Sequence, residues 1–251
     1  MKISLKTRLQ EGKPLLGTLV SLPSPEIAEI LAEAGFEWLF IDMEHGLLSH
    51  ADTQRIIQAA GPACPCLVRV PANDPLSISK ALDTGADGLI FPHTNNEEEA
   101  MASVRAAKYP PLGTRSIGIA RAQGYGARVG ESLERANAET VLVAQAEHIE
   151  AAKDIEMIVS VPGIDAVFIG PYDLSASLDK AGRFDDEEVR GAIDIIREAC
   201  AAAGRPAGIM ARNAEAARRS LEEGFRLVCV GAETMLLGDA ARQILNSIKR
   251  G

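Results

Sequence analysis

One unit recurs along this chain: a segment with helical periodicity ends at a glycine, and a short run of apolar residues follows. Six of the runs come just after Gly35, Gly61, Gly85, Gly163, Gly204 and Gly224. Glycine commonly ends a helix in the left-handed conformation. Short, nearly continuous apolar runs are typical of strands buried on both faces, as in parallel sheets. The unit therefore predicts helices that alternate with parallel strands.

Two further apolar runs, at 16–20 and 141–145, bring the predicted strands to eight. Successive units are spaced by about one strand plus one helix. Eight such units predict an α/β fold, a (β/α)8 TIM barrel, in which residues 1–251 form a single domain. A doubly wound open sheet is the alternative, and it is disfavoured because no glycine-rich dinucleotide fingerprint follows the first strand.

Composition excludes several classes of function. The 251 residues carry a net charge of −9, and 4% of them are aromatic. A nucleic-acid partner is disfavoured because such proteins need phosphate-neutralising charge and stacking aromatics. No apolar run approaches the roughly 20 residues that span a bilayer, and the N-terminus lacks a signal-peptide pattern. Four cysteines are too few for a disulfide scaffold. We therefore expect a cytoplasmic protein without a membrane or nucleic-acid partner.

Polar side chains gather where the predicted strands end, which is where TIM barrels carry their catalytic groups. They are Asp42 to His45, Arg69, His93, Gln145 to His148, Gly170 to Asp173, and Glu233. Two longer stretches, 108–138 and 170–186, interrupt the repeat and suggest functional loops. No lysine lies at a strand end, which argues against a Schiff-base aldolase.

Glu147 and Asp173 are the candidate metal ligands, because two carboxylates with water-filled positions beside them suit Mg²⁺, Mn²⁺ or a similar ion. The alternative is that each caps the helix after its strand. Arg69 could hold a carboxylate or enolate oxygen, or could simply pair with a carboxylate at the rim. His45 is a candidate general base. The amides of Tyr172 and Asp173, after Gly170, could bind a carboxylate.

The other histidines have weaker claims to a catalytic role. We expect His93 to lie in a loop and His148 to start a helix.

Taken in order, several motifs resemble one known family. They are Ala34 to Leu39, Asp42-Met43-Glu44-His45, Val68-Arg69-Val70-Pro71, Tyr109 to Arg115, Gln145-Ala146-Glu147 and Ile169 to Ser175. Any one string is weak, but their order and spacing resemble the HpcH/HpaI aldolases, the metal-dependent (class II) pyruvate aldolases. The resemblance runs from about Gly12 to the last helix.

The resemblance implies both a fold and a reaction. The fold would be a barrel of the phosphoenolpyruvate/pyruvate-binding type. The enzyme would reversibly cleave 4-hydroxy-2-keto acids to pyruvate and an aldehyde, in the catabolism of aromatic compounds or sugar acids. A divalent ion, Mg²⁺, Mn²⁺ or Co²⁺, would stabilise the pyruvate enolate. The family's homo-oligomers, trimers or hexamers, exchange C-terminal helices between subunits.

The resemblance also implies residue roles. Glu147 and Asp173 match the metal ligands, Arg69 the arginine on the pyruvate oxygen, and Gln145 the active-site glutamine. Gly170, Tyr172 and Asp173 match the residues around the pyruvate carboxylate. His45 matches the acid–base histidine, and Asp83 an aspartate paired with it. Because Asp83 ends a helix on the wrong side of its own barrel, it would act from a neighbouring subunit. Met210 falls where the aldehyde pocket is shaped.

Some positions differ from the best-known members, among them Leu19, Ser116 and residues 117–126, so the pyruvate half is better matched than the aldehyde half. Two other functions stay open. One is a lyase of the same superfamily that acts on a CoA thioester of the malyl- or citramalyl-CoA kind. The other is a non-catalytic barrel that binds an acidic metabolite.

Overall fold

Eight parallel strands close into a barrel in which each strand is hydrogen-bonded to the next, and the last to the first. This computed structural model describes residues 4–249. The strands are β1 (Leu15–Val20), β2 (Trp38–Asp42), β3 (Cys66–Arg69), β4 (Gly88–Phe91), β5 (Val141–Ala146), β6 (Ala166–Ile169), β7 (Ala207–Ala211) and β8 (Leu227–Ala232). The predicted TIM barrel is confirmed, and closure of the sheet excludes the open doubly wound alternative.

Helices surround the barrel. They are α1 (Leu5–Gln10), α2 (Pro25–Glu33), α3 (His50–Ala60), α4 (Pro75–Asp83), α5 (Glu97–Ala107), α6 (Val129–Glu139), α7 (Ile149–Lys153), α8 (Ile155–Ser160), α9 (Pro171–Ala176), α10 (Glu187–Ala202), α11 (Ala214–Glu222) and α12 (Glu233–Lys249). Three of them begin with proline, whose missing N–H has no partner to lose at the first helical position. Of the helices in residues 4–249, none combines the length and apolar character needed to cross a bilayer.

The core has two parts, separated by the sheet. One cluster fills the space between the strands and the surrounding helices. The other fills the barrel itself with side chains that include Trp38, Phe40, Leu67, Ile90, Phe168, Leu227 and Cys229. A side chain at Gly17 would put its Cβ 2.4 Å from the Trp38 indole, so glycine is needed for the ring to fit beside β1. The filled interior makes the barrel a packed core rather than a pore.

A short helix that the repeat did not predict closes the end of the barrel where the strands begin. Leu5 and Leu9 of α1 are buried and belong to the interior cluster. Ser4 caps the helix by accepting a hydrogen bond from the Thr7 amide at 3.2 Å. A six-residue helix carries too little periodicity to stand out in a sequence, although Ser4 was a readable start signal.

The two interruptions of the repeat lie at opposite ends of the barrel. Residues 108–138 come between α5 and β5, at the end where strands begin, and include a 3₁₀ helix (Arg121–Gly126) and most of α6. The long connection predicted here therefore contains helical segments of its own. The Arg121 guanidinium donates to the carbonyls of Thr84 and Gly85, at 3.0 and 3.3 Å, and so covers the end of α4. Residues 170–186 follow β6, at the end of the barrel where the strands finish.

The last helix, α12, projects from the barrel. Among its residues only Glu233 is buried, and its main contacts are with β8 and β1. Its large apolar side chains are exposed: Met235, Leu236, Leu237, Ile244, Leu245 and Ile248. An apolar surface of this extent on a 17-residue helix is typical of a contact with another chain.

Candidate active site

Two neighbouring strands bring Asp42 and Arg69 side by side. The register of β2 and β3 pairs these two residues directly. The Arg69 Nε and Nη2 atoms donate to the two carboxylate oxygens of Asp42 at 2.9 and 2.7 Å, and both residues are buried. The guanidinium also lies 5.2 Å from the centre of the Phe40 ring. This two-point contact and the ring beneath it fix the plane of the guanidinium at the mouth of the barrel.

A second carboxylate completes the surroundings of Arg69. Its Nη1 lies 3.1 Å from Glu44 Oε2. Burial alone would lower the pKa of Arg69, but the hydrogen bonds and charge of Asp42, with Glu44 behind, outweigh it and raise the pKa. The salt bridge between Arg69 and a carboxylate at the rim, which the sequence left as an alternative role for this arginine, is therefore present. A guanidinium has five N–H groups and Asp42 accepts from two of them, so N–H groups of Arg69 remain for a bound oxygen.

Glu147 is a buried carboxylate just after β5. Its Oε1 accepts from the His93 backbone amide at 2.7 Å and lies 3.1 Å from His93 Nδ1. Its Oε2 accepts a short hydrogen bond from Gln145 Nε2. Burial raises the pKa of Glu147, against the opposing effect of the His93 and Gln145 contacts. A carboxylate held in this way is stabilised by any cation placed beside it.

The alternative role for Glu147, as a helix cap, does not hold. The helix that follows β5 is capped by His148, whose Nδ1 accepts from the Glu150 amide at 3.2 Å. The prediction that His148 starts a helix is thus confirmed, and the Glu147 side chain is left to the barrel mouth.

His93 links the two acidic residues. It lies in the loop after β4, as predicted, with a φ of 51°, a conformation that costs energy for a residue with a side chain. Its Nε2 lies 3.0 Å from Glu44 Oε1, while its other nitrogen contacts Glu147. The sequence ranks His93 below His45, yet His93 has the closer contacts. The available signal was its place at the end of β4, next to β5, which leads into Glu147, and two strands from β2, which leads into Glu44.

Gly170 makes room for Glu147. A Cβ at this position would lie 2.9 Å from Glu147 Oε2 and 3.3 Å from Gln145 Nε2. A side chain would therefore displace the buried carboxylate. The glycine ends β6 and leads directly into α9, whose first turn carries Tyr172 and Asp173.

The remaining predicted residues at this end are more open. The His45 side chain is 67% exposed, and its Nε2 lies 3.9 Å from Glu44 Oε2. Tyr172 and Asp173 are exposed, and within residues 4–249 the Asp173 carboxylate has no hydrogen-bond or ion-pair partner. Met210 packs at the edge of the interior cluster and lines a cavity of about 770 Å³ that also reaches Tyr172.

Asp83 does not join these residues within one chain. It ends α4, at the end of the barrel where strands begin. There its Oδ1 accepts from Arg115 Nη2 at 2.8 Å. Any contribution to a site must come from another copy of the chain, as the sequence predicts.

Glu233 is a buried carboxylate to which the sequence assigned no role. It begins α12 and accepts three hydrogen bonds: from the backbone amides of Ser21 and Leu22, both at 2.7 Å, and from the Ser21 hydroxyl at 2.9 Å. It therefore ties the loop after β1 to the end of β8 and shapes that side of the barrel mouth.

The residues fit a divalent cation bound by few protein ligands. Glu147 is a buried carboxylate without an ammonium or guanidinium in direct contact, and Gln145 Oε1 is buried without a hydrogen-bond partner. In residues 4–249, no group of three or more His, Cys, Asp or Glu side chains could hold a metal ion. A cation here would therefore keep positions for water and substrate, which is how Mg²⁺ commonly binds.

Comparison with known proteins gives a consistent result. The family model described as HpcH/HpaI aldolase/citrate lyase matches residues 16–240. The 4-hydroxy-2-oxo-heptane-1,7-dioate aldolase of Shigella sonnei is 39% identical over 247 residues, which cover 97% of this chain and 94% of that protein. The hydroxypyruvate/pyruvate aldolase of Paraburkholderia phytofirmans is 37% identical over 253 residues, which cover 98% and 97%.

A solved structure is similar along the whole barrel. The HpcH/HpaI aldolase/citrate lyase family protein from Burkholderia cenocepacia superposes with a TM-score of 0.94, at 37% identity, covering 98% of both chains. The matched span includes all eight strands and every polar residue at their ends. The resemblance inferred from the motifs is confirmed: the chain belongs to the HpcH/HpaI aldolase/citrate lyase family.

Proposed function

We propose that this chain is a divalent-metal-dependent pyruvate aldolase, a carbon–carbon lyase that reversibly cleaves 4-hydroxy-2-keto acids to pyruvate and an aldehyde. Family membership and the aldolase names of its relatives support the reaction class. The observation that carries the proposal is Glu147, a carboxylate buried beside Gln145, His93 and Gly170 at the mouth of a barrel that has Arg69 on the same rim.

Glu147 and Asp173 are the residues that would hold the cation, which we propose is Mg²⁺, Mn²⁺ or Co²⁺. When bound, it supplies Lewis acidity toward the keto and carboxylate oxygens of the substrate. Glu147 is preorganised for this because Gln145, His93 and the gap at Gly170 fix its carboxylate. The Asp173 carboxylate has no hydrogen-bond or ion-pair partner within residues 4–249, so it can bind a cation without breaking an existing contact.

Arg69 orients the keto acid. Asp42 accepts hydrogen bonds from two of its N–H groups and Glu44 lies beside Nη1, and remaining N–H groups donate to the substrate oxygen on which negative charge develops. The backbone amides of Tyr172 and Asp173, at the start of α9, take the pyruvate carboxylate. Since the guanidinium cannot rotate away from Asp42, substrate binding costs it little reorganisation.

His45 moves the hydroxyl proton as the C–C bond breaks. Its side chain is exposed, and its nearest charged neighbour within the chain is Glu44 at 3.9 Å. Asp83 of a second copy would supply the missing partner, since in its own chain it lies at the other end of the barrel. The site would then be complete only in a homo-oligomer, a trimer or a hexamer.

The projecting α12 supports such an assembly. Its large apolar side chains are exposed and are not covered by its own barrel. We therefore propose that α12 packs on a neighbouring subunit. All four cysteines are buried, and four are too few for a disulfide scaffold in a chain of this length, so we propose that the protein works in the cytoplasm.

The test is pyruvate release from 4-hydroxy-2-keto acids by purified protein. Activity should require added Mg²⁺, Mn²⁺ or Co²⁺, and excess EDTA should remove it. The Arg69→Ala variant should be inactive while still folded. The matched control is Arg218→Met, which alters an exposed arginine of α11 away from the barrel mouth.

Four outcomes would contradict the proposal. Full activity in EDTA excludes the metal, and wild-type rates in Arg69→Ala remove that residue from the site. Cleavage of malyl- or citramalyl-CoA without cleavage of free keto acids would instead identify a thioester lyase. No turnover of either class, combined with tight binding of an acidic metabolite, would favour a binding protein.

A further inference from the structure

A cavity of about 770 Å³ lies beside the proposed pyruvate site, at the mouth of the barrel. The cavity extends from Tyr172, next to the proposed ligand Asp173, to the ends of β7 and β8. Leu19, Met210 and Met235 give it an apolar part, and Tyr172 packs edge-on against Phe184 at 4.7 Å between ring centres. Its position fits the half of the substrate that becomes the aldehyde.

The acidic side chains that line this cavity all have a basic residue as an ion-pair partner. Asp186 pairs with Arg183 at 2.8 Å and with Lys180 at 2.6 Å. Glu223 pairs with Arg190 at 3.3 Å.

The same holds for the other acidic residues. Asp185 and Glu215 lie 3.6 and 3.9 Å from Arg219. Asp194 is 3.0 Å from Arg197. These pairs use three of the four arginines that line the cavity.

The fourth arginine, Arg212, is exposed and has no hydrogen-bond or ion-pair partner among residues 4–249. It directly follows β7. In that strand Met210 faces the barrel interior while Ile209 and Ala211 face the surrounding helices. Arg212 and Met210 both line the cavity. The cavity thus holds one unmatched positive charge, next to its apolar part and toward the barrel mouth.

We propose that Arg212 is a specificity-determining residue that binds a carboxylate on the aldehyde half of the substrate. A guanidinium suits this ligand because its N–H groups match a carboxylate in two-point geometry. An apolar stretch lined by Leu19 and Met210 would contact the carbons between the aldehyde and its carboxylate. The residue acts on choice of acceptor and takes no part in the bond cleavage. This inference rests on the proposed aldolase function.

The test compares two series of aldehydes condensed with pyruvate in the presence of Mn²⁺. One series carries a terminal carboxylate, and the other has the same chain length with a terminal methyl group. The measured quantity is the ratio of kcat/KM between the two members of each pair. Wild-type protein should prefer the carboxylated aldehyde at one chain length, and Arg212→Met should lower that ratio tenfold or more, about 1.4 kcal/mol.

Further variants separate charge from shape. Arg212→Lys should keep part of the preference, and Arg212→Glu should reverse it. The control Arg218→Met removes an exposed arginine of α11 that does not line the cavity, and it should leave the ratio unchanged. The effect should lie mainly in KM for the aldehyde, with KM for pyruvate unaltered, and added salt should weaken the preference in wild type.

Failure of this inference can be told apart from failure of the proposed function. If pyruvate adds to aldehydes but the ratio is the same in wild type and Arg212→Met, the role of Arg212 is wrong while the aldolase stands. If no aldehyde reacts, the proposed function is wrong as well. An equal loss with both series, accompanied by a lower melting temperature, would show that Arg212 matters only for folding and would also overturn the inference.

Discussion

At the scale of single residues, the geometry around Glu147 depends on the absence of a side chain at Gly170. The methyl group of an alanine would come within 2.9 Å of Glu147 Oε2, closer than van der Waals contact allows. Because strands β5 and β6 are paired at this point, neither backbone can move away freely.

We predict that Gly170→Ala lowers aldolase activity at least tenfold, or about 1.4 kcal/mol in the activation free energy. The added methyl group should turn the Glu147 carboxylate out of position and weaken metal binding, which calorimetric titration with Mn²⁺ would measure. The control is Gly191→Ala, within α10, where a Cβ meets no atom within 4 Å. It should leave activity unchanged. Normal metal affinity in Gly170→Ala would contradict this account.

At the scale of elements, one buried amine joins α5 to α6. Lys108, directly after α5, donates through Nζ to the Asn137 carbonyl at 2.7 Å and lies 3.4 Å from that of Thr140. Burial lowers its pKa to about 8, an effect that nearby Lys6 reinforces and Asp165 opposes. The charged form is thus less favourable in the folded protein than in the unfolded chain.

This predicts a pH dependence of defined sign. Between pH 8 and the ordinary lysine value of about 10.4, the unfolded chain binds more protons at this position, so its contribution to stability rises with pH. The free energy of unfolding of wild type minus that of Lys108→Met should therefore increase from pH 8 to pH 10 in urea titrations. Lys80→Met, at an exposed position of α4, is the control. A difference that falls with pH would contradict the prediction.

The second element-scale prediction concerns α12. Ile244 and Ile248 are 61% and 70% exposed, one turn apart on a helix that its own barrel does not cover. The Ile244→Asp, Ile248→Asp double variant should shift the mass measured by light scattering toward the monomer and lower activity, because Asp83 would no longer reach the neighbouring site. Arg242→Asp, two residues before Ile244 in the same helix, is the control for added negative charge. An unchanged mass in the double variant would exclude α12 from the interface.

At the scale of the whole molecule, the proposed metal site at the barrel mouth affects the stability of the folded protein. The Glu147 carboxylate is buried, and burial raises the pKa of Glu147. A cation that binds only the folded state stabilises it by mass action, by about 2.7 kcal/mol at a concentration one hundred times the Kd.

We therefore predict that Mn²⁺ raises the melting temperature of wild type and that EDTA reverses the rise. Glu147→Gln should melt at a similar or higher temperature without metal, since it removes a buried charge, and should lose the metal-dependent rise. Glu134→Gln, an exposed position of α6, should keep that rise. A full metal-dependent rise in Glu147→Gln would mean that the cation binds elsewhere.

Much of this architecture follows from sequence alone, because its determinants are local. The glycine that ends a helix and the apolar run that forms a strand are each set by a few neighbouring residues. Eight repeats of this unit match the eight strands of a closed barrel. The end of the barrel that carries Arg69, Gln145 and Glu147 follows from the same rule, since parallel strands place their last residues on one rim. Family motifs added the reaction class, which composition does not encode.

Other features needed the tertiary structure because they join residues far apart in the chain. The contact of His93 with both Glu44 and Glu147 depends on the order of strands around the barrel, and its backbone conformation leaves no mark in the sequence. Arg212 has no ion-pair partner among residues 4–249, whereas the other arginines that line its cavity form ion pairs, some of them with residues far away in the chain, and those pairs depend on the tertiary structure. Sequence thus determined which side chains reach the rim, while closure of the barrel decided which of them meet, because distances across a sheet depend on strand pairing and not on separation along the chain.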